Sequence, residues 1–404
     1  MLIKRVVNIV DPTRREFLRK SFAGMGWMVA GTTLSQCGDG SGGGATMSNI
    51  ANLGPLQDPD ENGLRLPEGF TGRVIGQSGM AVGDSGYVWH NGPDGGAVFT
   101  TADGGWIYVS NSETLAQFGG GASAIRFSSE GDIVDAYRLL EDTNVNCAGG
   151  MTPWGTWLSC EEWPTGRVFE CDPLGASDAV VRPAMGVFEH EAAAVDEANR
   201  HAYLTEDVGD GRFYRFAYDA PGDLSSGELQ VAEVMGGGPE GPVEWRTIPD
   251  PSAETTATRL QVASSTPFVG GEGLWYHQGV IYFSTKGDNR IWAYETDTSM
   301  LSILYDAATS STPILTGVDN LTVSPAGDVL VAEDGGDMQI VAISPDGTLA
   351  PLLQVVGHEL SEITGPAFGP ALQRLYFSSQ RGTDGADILA RSGVTYEVSG
   401  PFFI

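Results

Sequence analysis

Residues 146–162, NCAGGMTPWGTWLSCEE, hold the densest group of side chains that could do chemistry. Cys147 lies at the start of this segment, and Glu161 and Glu162 are adjacent at its end. The glycines, the Pro-Trp-Gly turn and the alternating residues after it predict two short strands joined by a tight turn. Adjacent carboxylates repel each other unless a cation or several hydrogen-bond donors offset the repulsion. One acidic turn would simply be solvated, but this arrangement recurs along the chain.

A strand that ends in polar or charged residues occurs six times, and four of the five steps between these ends are about 47 residues. Such a step fits a blade of four strands. The longer step contains residues 221–269, rich in Gly, Pro and Ser, which we interpret as an insertion. No helical periodicity is sustained, and 56 glycines indicate many tight turns. Residues 53–404 are therefore predicted to be all-β, a six-bladed β-propeller with one inserted region.

A second polar cluster precedes each of these strand ends by about fourteen residues. In a propeller the innermost strand of a blade lines the central channel, and its start faces the same mouth as the end of the next strand. We therefore expect both sets of polar residues at one mouth. The metal ligands predicted there are Glu113, Cys147, Glu161, Glu162, Glu191, Asp207, Glu272, Asp319 and Glu333.

So many carboxylates cannot all stay ionised without cations, because like charges raise each other's pKa. Ca²⁺ binds six to eight oxygens of such groups, whereas a thiolate suits a transition metal. Lys286 and Arg381 occupy strand ends where other repeats carry acids, and they suit an anionic substrate such as a phosphate. The alternative is that both are local salt-bridge partners. His190 is the third candidate catalytic residue, although such a histidine more often supports a site or the core.

Three cysteines follow the N-terminal segment: Cys147, Cys160 and Cys171. In an exported protein an odd number leaves one without an intramolecular partner. Cys147 could be a buried thiol or pair with either of the others. Cys160 and Cys171 flank a predicted hairpin, so they could instead pair with each other and leave Cys147 free for a metal.

Residues 1–37 are predicted to be an export signal, since Arg14 and Arg15 resemble a twin-arginine motif and an apolar run follows them. Cys37 follows a sequence similar to a lipoprotein cleavage site, so it could carry a lipid anchor. Residues 38–52 are predicted to be a flexible tether. We therefore expect export by the twin-arginine machinery and a periplasmic, membrane-anchored or secreted protein.

The net charge of −30 makes nucleic acid a poor partner, because phosphate backbones repel so acidic a surface. The same charge is best tolerated where divalent cations are present. We expect a monomer that acts on a small molecule.

Over about residues 85–385 the chain resembles the PhoX-type alkaline phosphatase family, as a smaller branch of it. The motifs that carry the resemblance are NCAGG and TPWGTWL at residues 146–158, FEHEAAA at 188–194, EGLW at 272–275, DNLTVSP at 319–325 and AEDG at 332–335. The resemblance implies a six-bladed propeller whose funnel holds calcium and iron (Ca²⁺ and Fe³⁺), with a cysteine thiolate on the iron. Carried onto this sequence, that thiolate is Cys147. The implied activity is hydrolysis of phosphate esters outside the cytoplasm.

The mechanism we expect is metal-assisted phosphoryl transfer, with Arg381 and Lys286 neutralising charge on the phosphate oxygens. One alternative is a calcium-dependent propeller lactonase or esterase, which needs neither a thiolate nor phosphate-binding cations. The other is a calcium-stabilised propeller that binds a partner without catalysis. Iron in the purified protein would separate the phosphatase from the lactonase or esterase, and inertness toward p-nitrophenyl phosphate and its diester at full metal loading would favour the binding propeller.

Overall fold

The computed structural model describes residues 47–387 and 389–404. The predicted export signal, the Cys37 anchor and the first part of the tether lie outside these residues. Residues 47–52 were also predicted as tether, but Met47 and Asn49 donate main-chain hydrogen bonds to Ile404 and Phe402, and Ile50 is buried. The tether therefore does not extend through these residues. No helix in the described part of the chain is long and apolar enough to cross a membrane.

Short strands joined by Gly-rich turns make up the described residues, as the alternating pattern predicts. In chain order the strands are β1 (Leu64–Arg65), β2 (Thr71–Gln77), β3 (Pro93–Thr100), β4 (Trp106–Ser112), β5 (Gly121–Phe127), β6 (Ile133–Leu140), β7 (Asn146–Met151), β8 (Trp157–Glu161), β9 (Val168–Cys171), β10 (Val180–Val181), β11 (His190–Asp196), β12 (His201–Glu206), β13 (Phe213–Ala220), β14 (Asp223–Val234), β15 (Gly241–Thr247), β16 (Gly271–His277), β17 (Val280–Thr285), β18 (Arg290–Glu295), β19 (Met300–Asp306), β20 (Val318–Val323), β21 (Val329–Glu333), β22 (Gln339–Ile343), β23 (Leu349–Val355), β24 (Ile363–Phe368), β25 (Arg374–Ser379) and β26 (Val394–Ser399). Short 3-10 helices cover Ile50–Asn52, Ala116–Phe118, Pro183–Met185 and Thr258–Leu260.

The described strands form antiparallel sheets arranged around a central channel. Their strand orders are β3-β4-β5-β6, β10-β9-β8-β7, β11-β12-β13-β14-β15-β19-β18-β17-β16, β1-β23-β22-β21-β20 and β2-β26-β25-β24. The N-terminal strand β2 pairs with β26 near the C-terminus, and β1 pairs with β23. These two pairings join the ends of the chain and close the ring.

Six strands line the channel: β3, β7, β11, β16, β20 and β24 each contact the next one around the ring, and β24 contacts β3. Glycines let these strands approach closely. A Cβ added at Gly95 would lie 2.5 Å from Cα of Ala148, and one at Gly273 would lie 2.5 Å from the main-chain nitrogen of Leu321. Apolar side chains fill the space between neighbouring sheets; Leu330 and Leu353, for example, share a buried cluster with Phe377.

The fold is therefore an all-β propeller, as predicted, but its sheets are not six separate blades. β15 pairs with both β14 and β19, and this joins the strands between residues 190 and 306 into one nine-stranded sheet. The pairing of β15 with β19 is short, Gly241 with Leu301 and Pro242 with Met300. The predicted insertion, residues 221–269, contains β14 and β15.

Candidate metal centre

The second residue of each channel-lining strand points toward one mouth of the channel. In five strands a β-bulge begins at that residue, where two residues oppose one on the partner strand. A bulge re-aims the side chain it carries and is common beside active sites. These five residues are Asp94 in β3, Cys147 in β7, Glu191 in β11, Glu272 in β16 and Asp319 in β20. The sixth strand, β24, carries Thr364 here, and its bulge begins one residue later.

A second set of side chains comes from the residue that follows each partner strand. The partner strands β4, β8, β12, β17, β21 and β25 end side by side with the bulged starts. The residues that follow them are Glu113, Glu162, Asp207, Lys286, Asp334 and Gln380. The two sets of polar residues predicted from the sequence thus meet at one mouth of the channel.

Eight carboxyl groups and one thiol form four overlapping triads, and within each triad one ligand atom per residue lies within 4.8 Å of the others. The triads are Asp94–Glu113–Cys147, Cys147–Glu162–Glu191, Glu191–Glu272–Asp319 and Asp319–Asp334–Glu362. We call these nine residues the acidic cluster. Asp207 lies beside it, since its charge raises the pKa of Glu162, Glu272 and Asp319.

Burial is the main cause of the high pKa values in the acidic cluster, and the neighbouring carboxylates raise them further. The pKa of Glu113 rises to about 7 and that of Glu162 to about 9. The pKa values of Asp94, Glu191 and Glu272 lie well above their usual range. Without an added cation, several of these groups are therefore protonated near neutral pH.

Cys147 links two of the triads. Its Sγ donates a hydrogen bond to Oε1 of Glu191 at 3.3 Å. Burial raises the pKa of the thiol, and the carboxylates of Asp94 and Glu191 raise it further. The thiol therefore becomes a thiolate here only if a cation replaces its proton.

Lys286 extends into the acidic cluster from the end of β17. Its Nζ lies 2.9 Å from Oε1 of Glu272, and 3.3 Å from both Oδ2 of Asp319 and Oδ2 of Asp334. Burial alone would lower the pKa of Lys286, but the surrounding carboxylates raise it well above its usual range. Lys286 is therefore a permanent cation in this site.

Arg381 lies on the same side of the acidic cluster. Its Nη1 contacts Glu362 at 3.1 Å and donates to Oε1 of Gln380 at 3.1 Å, while Nη2 contacts Asp334 at 3.2 Å. Nε2 of Gln380 in turn donates to Asp94 at 2.7 Å and to Glu113. Gln380 thus connects the guanidinium to the triad that contains Cys147.

Two predicted ligands, Glu161 and Glu333, are not brought into the acidic cluster. Glu161 accepts hydrogen bonds from the main-chain nitrogens of Asn144 and Arg167, at 2.9 and 3.1 Å. Glu333 accepts two in the same way, from the main chain of Thr316 and Gln339, each at 3.0 Å. Successive side chains of a strand point to opposite sides, so these carboxylates brace adjacent turns while the residues after them face the mouth.

His190 is not in the acidic cluster either, so its predicted catalytic role is not supported. The ring stacks on Phe188 at 3.5 Å between centroids, and Nε2 lies 3.1 Å from the carbonyl oxygen of Gly186. Burial lowers the pKa of His190 to about 3. The residue is a neutral core histidine whose neighbour in β11, Glu191, points to the opposite side.

The three described cysteines are free thiols, and all are buried. Cys160 packs in the core on one side of its sheet and Cys171 in the core on the other side, so the predicted pairing between them does not form. Neither pairs with Cys147. The alternative in which Cys147 is a free thiol at the channel mouth is the one that the structure supports.

Four residues of the site were not among the predicted ligands and catalytic residues: Asp94, Asp334, Glu362 and Gln380. Asp94 belongs to the second predicted set of polar residues, and Asp334 directly follows one of the six strand ends. Both therefore lie at positions that the repeat predicts to face the mouth. Glu362 immediately precedes β24, and Gln380 is an uncharged residue at an otherwise charged position. Glu362 is acidic but lies outside both predicted sets of polar residues, and Gln380 carries no charge, so the repeated pattern of acids marks neither of them.

The residues present fit a group of metal ions. Oε2 of Glu191 is buried and has no hydrogen-bond partner among the described residues. Carboxylate oxygens are the ligands of Ca²⁺, and a thiolate adds affinity for a transition metal. The acidic cluster therefore has the donor set for hard cations together with at least one softer one.

The sequence matches the family described as alkaline phosphatase PhoX over residues 111–167 and 164–300. The resemblance to the PhoX family is confirmed. The PhoX-like region includes Cys147, Glu162, Glu191 and Glu272 of the acidic cluster. Among curated proteins, no sequence matches the chain.

Solved structures show the same fold. PhoX from Pseudomonas fluorescens, in complex with the transition state analogue vanadate, superposes with a TM-score of 0.69 at 17% identity, covering 88% of this chain and 98% of that chain. A Bacteroides thetaiotaomicron protein of unknown function gives a TM-score of 0.52 at 9% identity, covering 82% and 76%. A gluconolactonase from Xanthomonas campestris, at 13% identity and covering 89% and 98%, gives 0.47, too low to support an argument. At these identities the likeness shows the propeller fold and nothing about activity.

Proposed function

We propose that the chain is a metal-dependent phosphatase that hydrolyses phosphate esters outside the cytoplasm. The observation that carries the proposal is the acidic cluster, in which a thiol and eight carboxyl groups meet at one mouth of a PhoX-like propeller. We also infer that the nine-stranded sheet is two blades joined through β15 and β19, which makes the propeller six-bladed. Each of its ends, β11 and β16, lines the channel as the first strand of a blade would.

The ions we propose are calcium and iron. The carboxylates of the acidic cluster would hold Ca²⁺, and Cys147 with its neighbours Asp94, Glu113 and Glu191 would hold Fe³⁺. When bound, the ions would supply Lewis-acid polarisation of the phosphate oxygens. The protein holds the ligands in place through the bulges, so little reorganisation is needed at the moment of reaction.

Arg381 is the residue we propose to contact the phosphate. A guanidinium has five N–H donors. Four of these donors point to Leu360, Gln380, Glu362 and Asp334. The second N–H of Nη2 remains available for a ligand. The side chain is one-quarter exposed at the mouth. It can therefore donate to an incoming phosphate without losing the contacts that orient it.

The test is turnover of p-nitrophenyl phosphate and of its diester by purified protein, first treated with chelator and then supplied with Ca²⁺ and iron. We expect activity only after metals are restored. Arg381→Met should lower kcat/KM by about 10- to 100-fold, since it removes one charge-assisted contact to the transferred group. Arg126→Met is the matched control, because Arg126 forms an exposed ion pair with Asp103 and should leave turnover unchanged.

Metal-loaded protein that is folded and yet hydrolyses neither ester would overturn the proposal. Hydrolysis of a lactone by the same sample would favour the propeller lactonase instead, and inertness toward all three substrates would favour a binding protein. Twin-arginine export, the Cys37 lipid anchor and a monomeric state are further proposals. Fractionation of the native host and sedimentation of the purified chain would test them.

A further inference from the structure

The acidic cluster is divided into two sides by its cations. On one side, which we call the Lys286 side, every carboxylate forms an ion pair with Lys286 or Arg381. These carboxylates belong to Glu272, Asp319, Asp334 and Glu362. On the other, the Cys147 side, the acidic groups are Asp94, Glu113, Cys147, Glu162 and Glu191. Within the part of the chain that the structure describes, no Lys or Arg forms an ion pair with any residue of the Cys147 side. The two sides therefore differ in how their negative charge is offset.

The geometry of Lys286 is that of a bound cation. An ammonium group has three N–H donors, and Nζ lies within 3.3 Å of three carboxylates, those of Glu272, Asp319 and Asp334. These three carboxylates surround the ammonium, so a phosphate could approach it only against their negative charge. Two of the metal-competent triads share Asp319, and Nζ contacts two members of each.

We propose that Lys286 takes the place of one metal ion, so that the ions collect on the Cys147 side. The inference rests on the proposed metal centre and deepens it. It replaces the phosphate-neutralising role predicted for Lys286 from the sequence and leaves that role to Arg381.

Removing the ammonium would free Asp319, which belongs to two metal-competent triads, together with Glu272 from one triad and Asp334 from the other. The local charge would become one unit more negative, and Ca²⁺ is the kind of hard cation that such oxygens bind. Methionine approximates the length of lysine without its charge. Arginine keeps the charge at a similar reach. These two substitutions separate the effect of charge from the effect of size.

The experiment counts Ca²⁺ per chain by elemental analysis, after saturation and removal of free ions, in wild type, Lys286→Met and Lys286→Arg. We expect Lys286→Met to hold one ion more than wild type and Lys286→Arg to hold the same number. An equal or smaller number in a folded Lys286→Met protein would overturn the inference. If that variant does not fold, Lys286→Gln serves in its place with the same expectation.

A Co²⁺ titration locates the additional ion. Cys147 bound to Co²⁺ should give thiolate-to-metal absorption in the near ultraviolet, and Cys147→Ser should lack it. The additional ion in Lys286→Met should bind to oxygen alone and leave this absorption unchanged; an increase would place the ion on the Cys147 side and refute the division. Phosphatase turnover is measured on the same samples, so a changed ion count without activity would contradict the proposed phosphatase alone.

Discussion

Without metal ions, the chain should lose stability as the pH rises above about 6.5. The cause is the raised pKa of several carboxyl groups in the acidic cluster, which are protonated in the folded apo protein and ionised in the unfolded chain. Burial and neighbouring carboxylates raise the pKa of Glu162 to about 9. An acid whose pKa is higher in the folded state binds more protons when folded, so the free energy of unfolding falls as pH rises between its two pKa values.

The magnitude follows from the number of protons involved. Each proton held only by the folded state lowers the free energy of unfolding by about 1.4 kcal/mol per pH unit. For Glu162 alone this is about 3 kcal/mol between about pH 6.5 and 8.5, a large part of the roughly 5–15 kcal/mol that stabilises a typical domain. The histidines do not offset this loss. Burial lowers the pKa values of His90 and His190, so both are neutral in the folded and in the unfolded chain above about pH 6.5.

The assay is denaturant unfolding of chelator-treated protein at a series of pH values, with and without saturating Ca²⁺. Calcium should flatten the dependence, because bound ions displace the protons from these carboxylates. Glu162→Gln should remove about one proton from the slope. Glu130→Gln is the control; local hydrogen bonds to Ser129 and Ser128 lower the pKa of this fully exposed acid, so it contributes no slope in this range. A free energy of unfolding that stays constant or rises with pH in the apo protein would refute the reasoning.

Three further predictions concern single residues. Glu161→Gln should lower the free energy of unfolding by about 1–2 kcal/mol, because the amide can accept only one of the two main-chain hydrogen bonds, and it should leave metal content unchanged, whereas Glu162→Gln should lower metal content; equal metal loss in both would contradict the assignment. Asn111→Ala removes bonds to the carbonyls of Cys147 and Ala148 and should cost about 2–4 kcal/mol in denaturant unfolding. Cys147→Ser should retain calcium and lose iron in elemental analysis, and full iron retention would exclude a thiolate ligand.

The sequence was sufficient to predict the propeller and the convergence of acids because both depend on a repeated local pattern. Asp94, Cys147, Glu191, Glu272 and Asp319 each follow the first residue of a channel-lining strand, and the same bulge recurs in all five. A pattern that repeats with the blade is visible in the order of residue types. The two sets of polar residues predicted from this repeat therefore do lie together at one mouth of the channel.

Individual ligands were harder to predict, because a shift of one residue moves a side chain to the other face of a strand. Glu333 and Asp334 are both acidic, and the sequence does not show which of them faces the channel. In the structure, the side chain of Glu333 points away from the channel, because the main-chain nitrogens of Thr316 and Gln339 in the adjacent turns both donate hydrogen bonds to it. Asp334 is left to meet Lys286 and Arg381.

The local sequence pattern does not predict that β15 pairs with β19. It also does not predict that Glu362 joins the acidic cluster. The first involves two residue pairs between segments far apart in the chain. The second depends on an isolated bridge between Asp334 and Glu362 and on the packing of β24 beside β20, which bring two neighbouring sheets together. Contacts of this kind carry no periodic signal.

The closed ring of sheets links metal binding to folding, because the ligands of the acidic cluster come from different sheets. The acidic cluster draws on residues from Asp94 to Glu362, so no single sheet contains a complete set of ligands. Gln380 in the last sheet bonds to Asp94 and Glu113 in the first and completes the ring at the mouth. Ions that bind this cluster therefore stabilise the closed ring as a whole, since an opened ring separates their ligands.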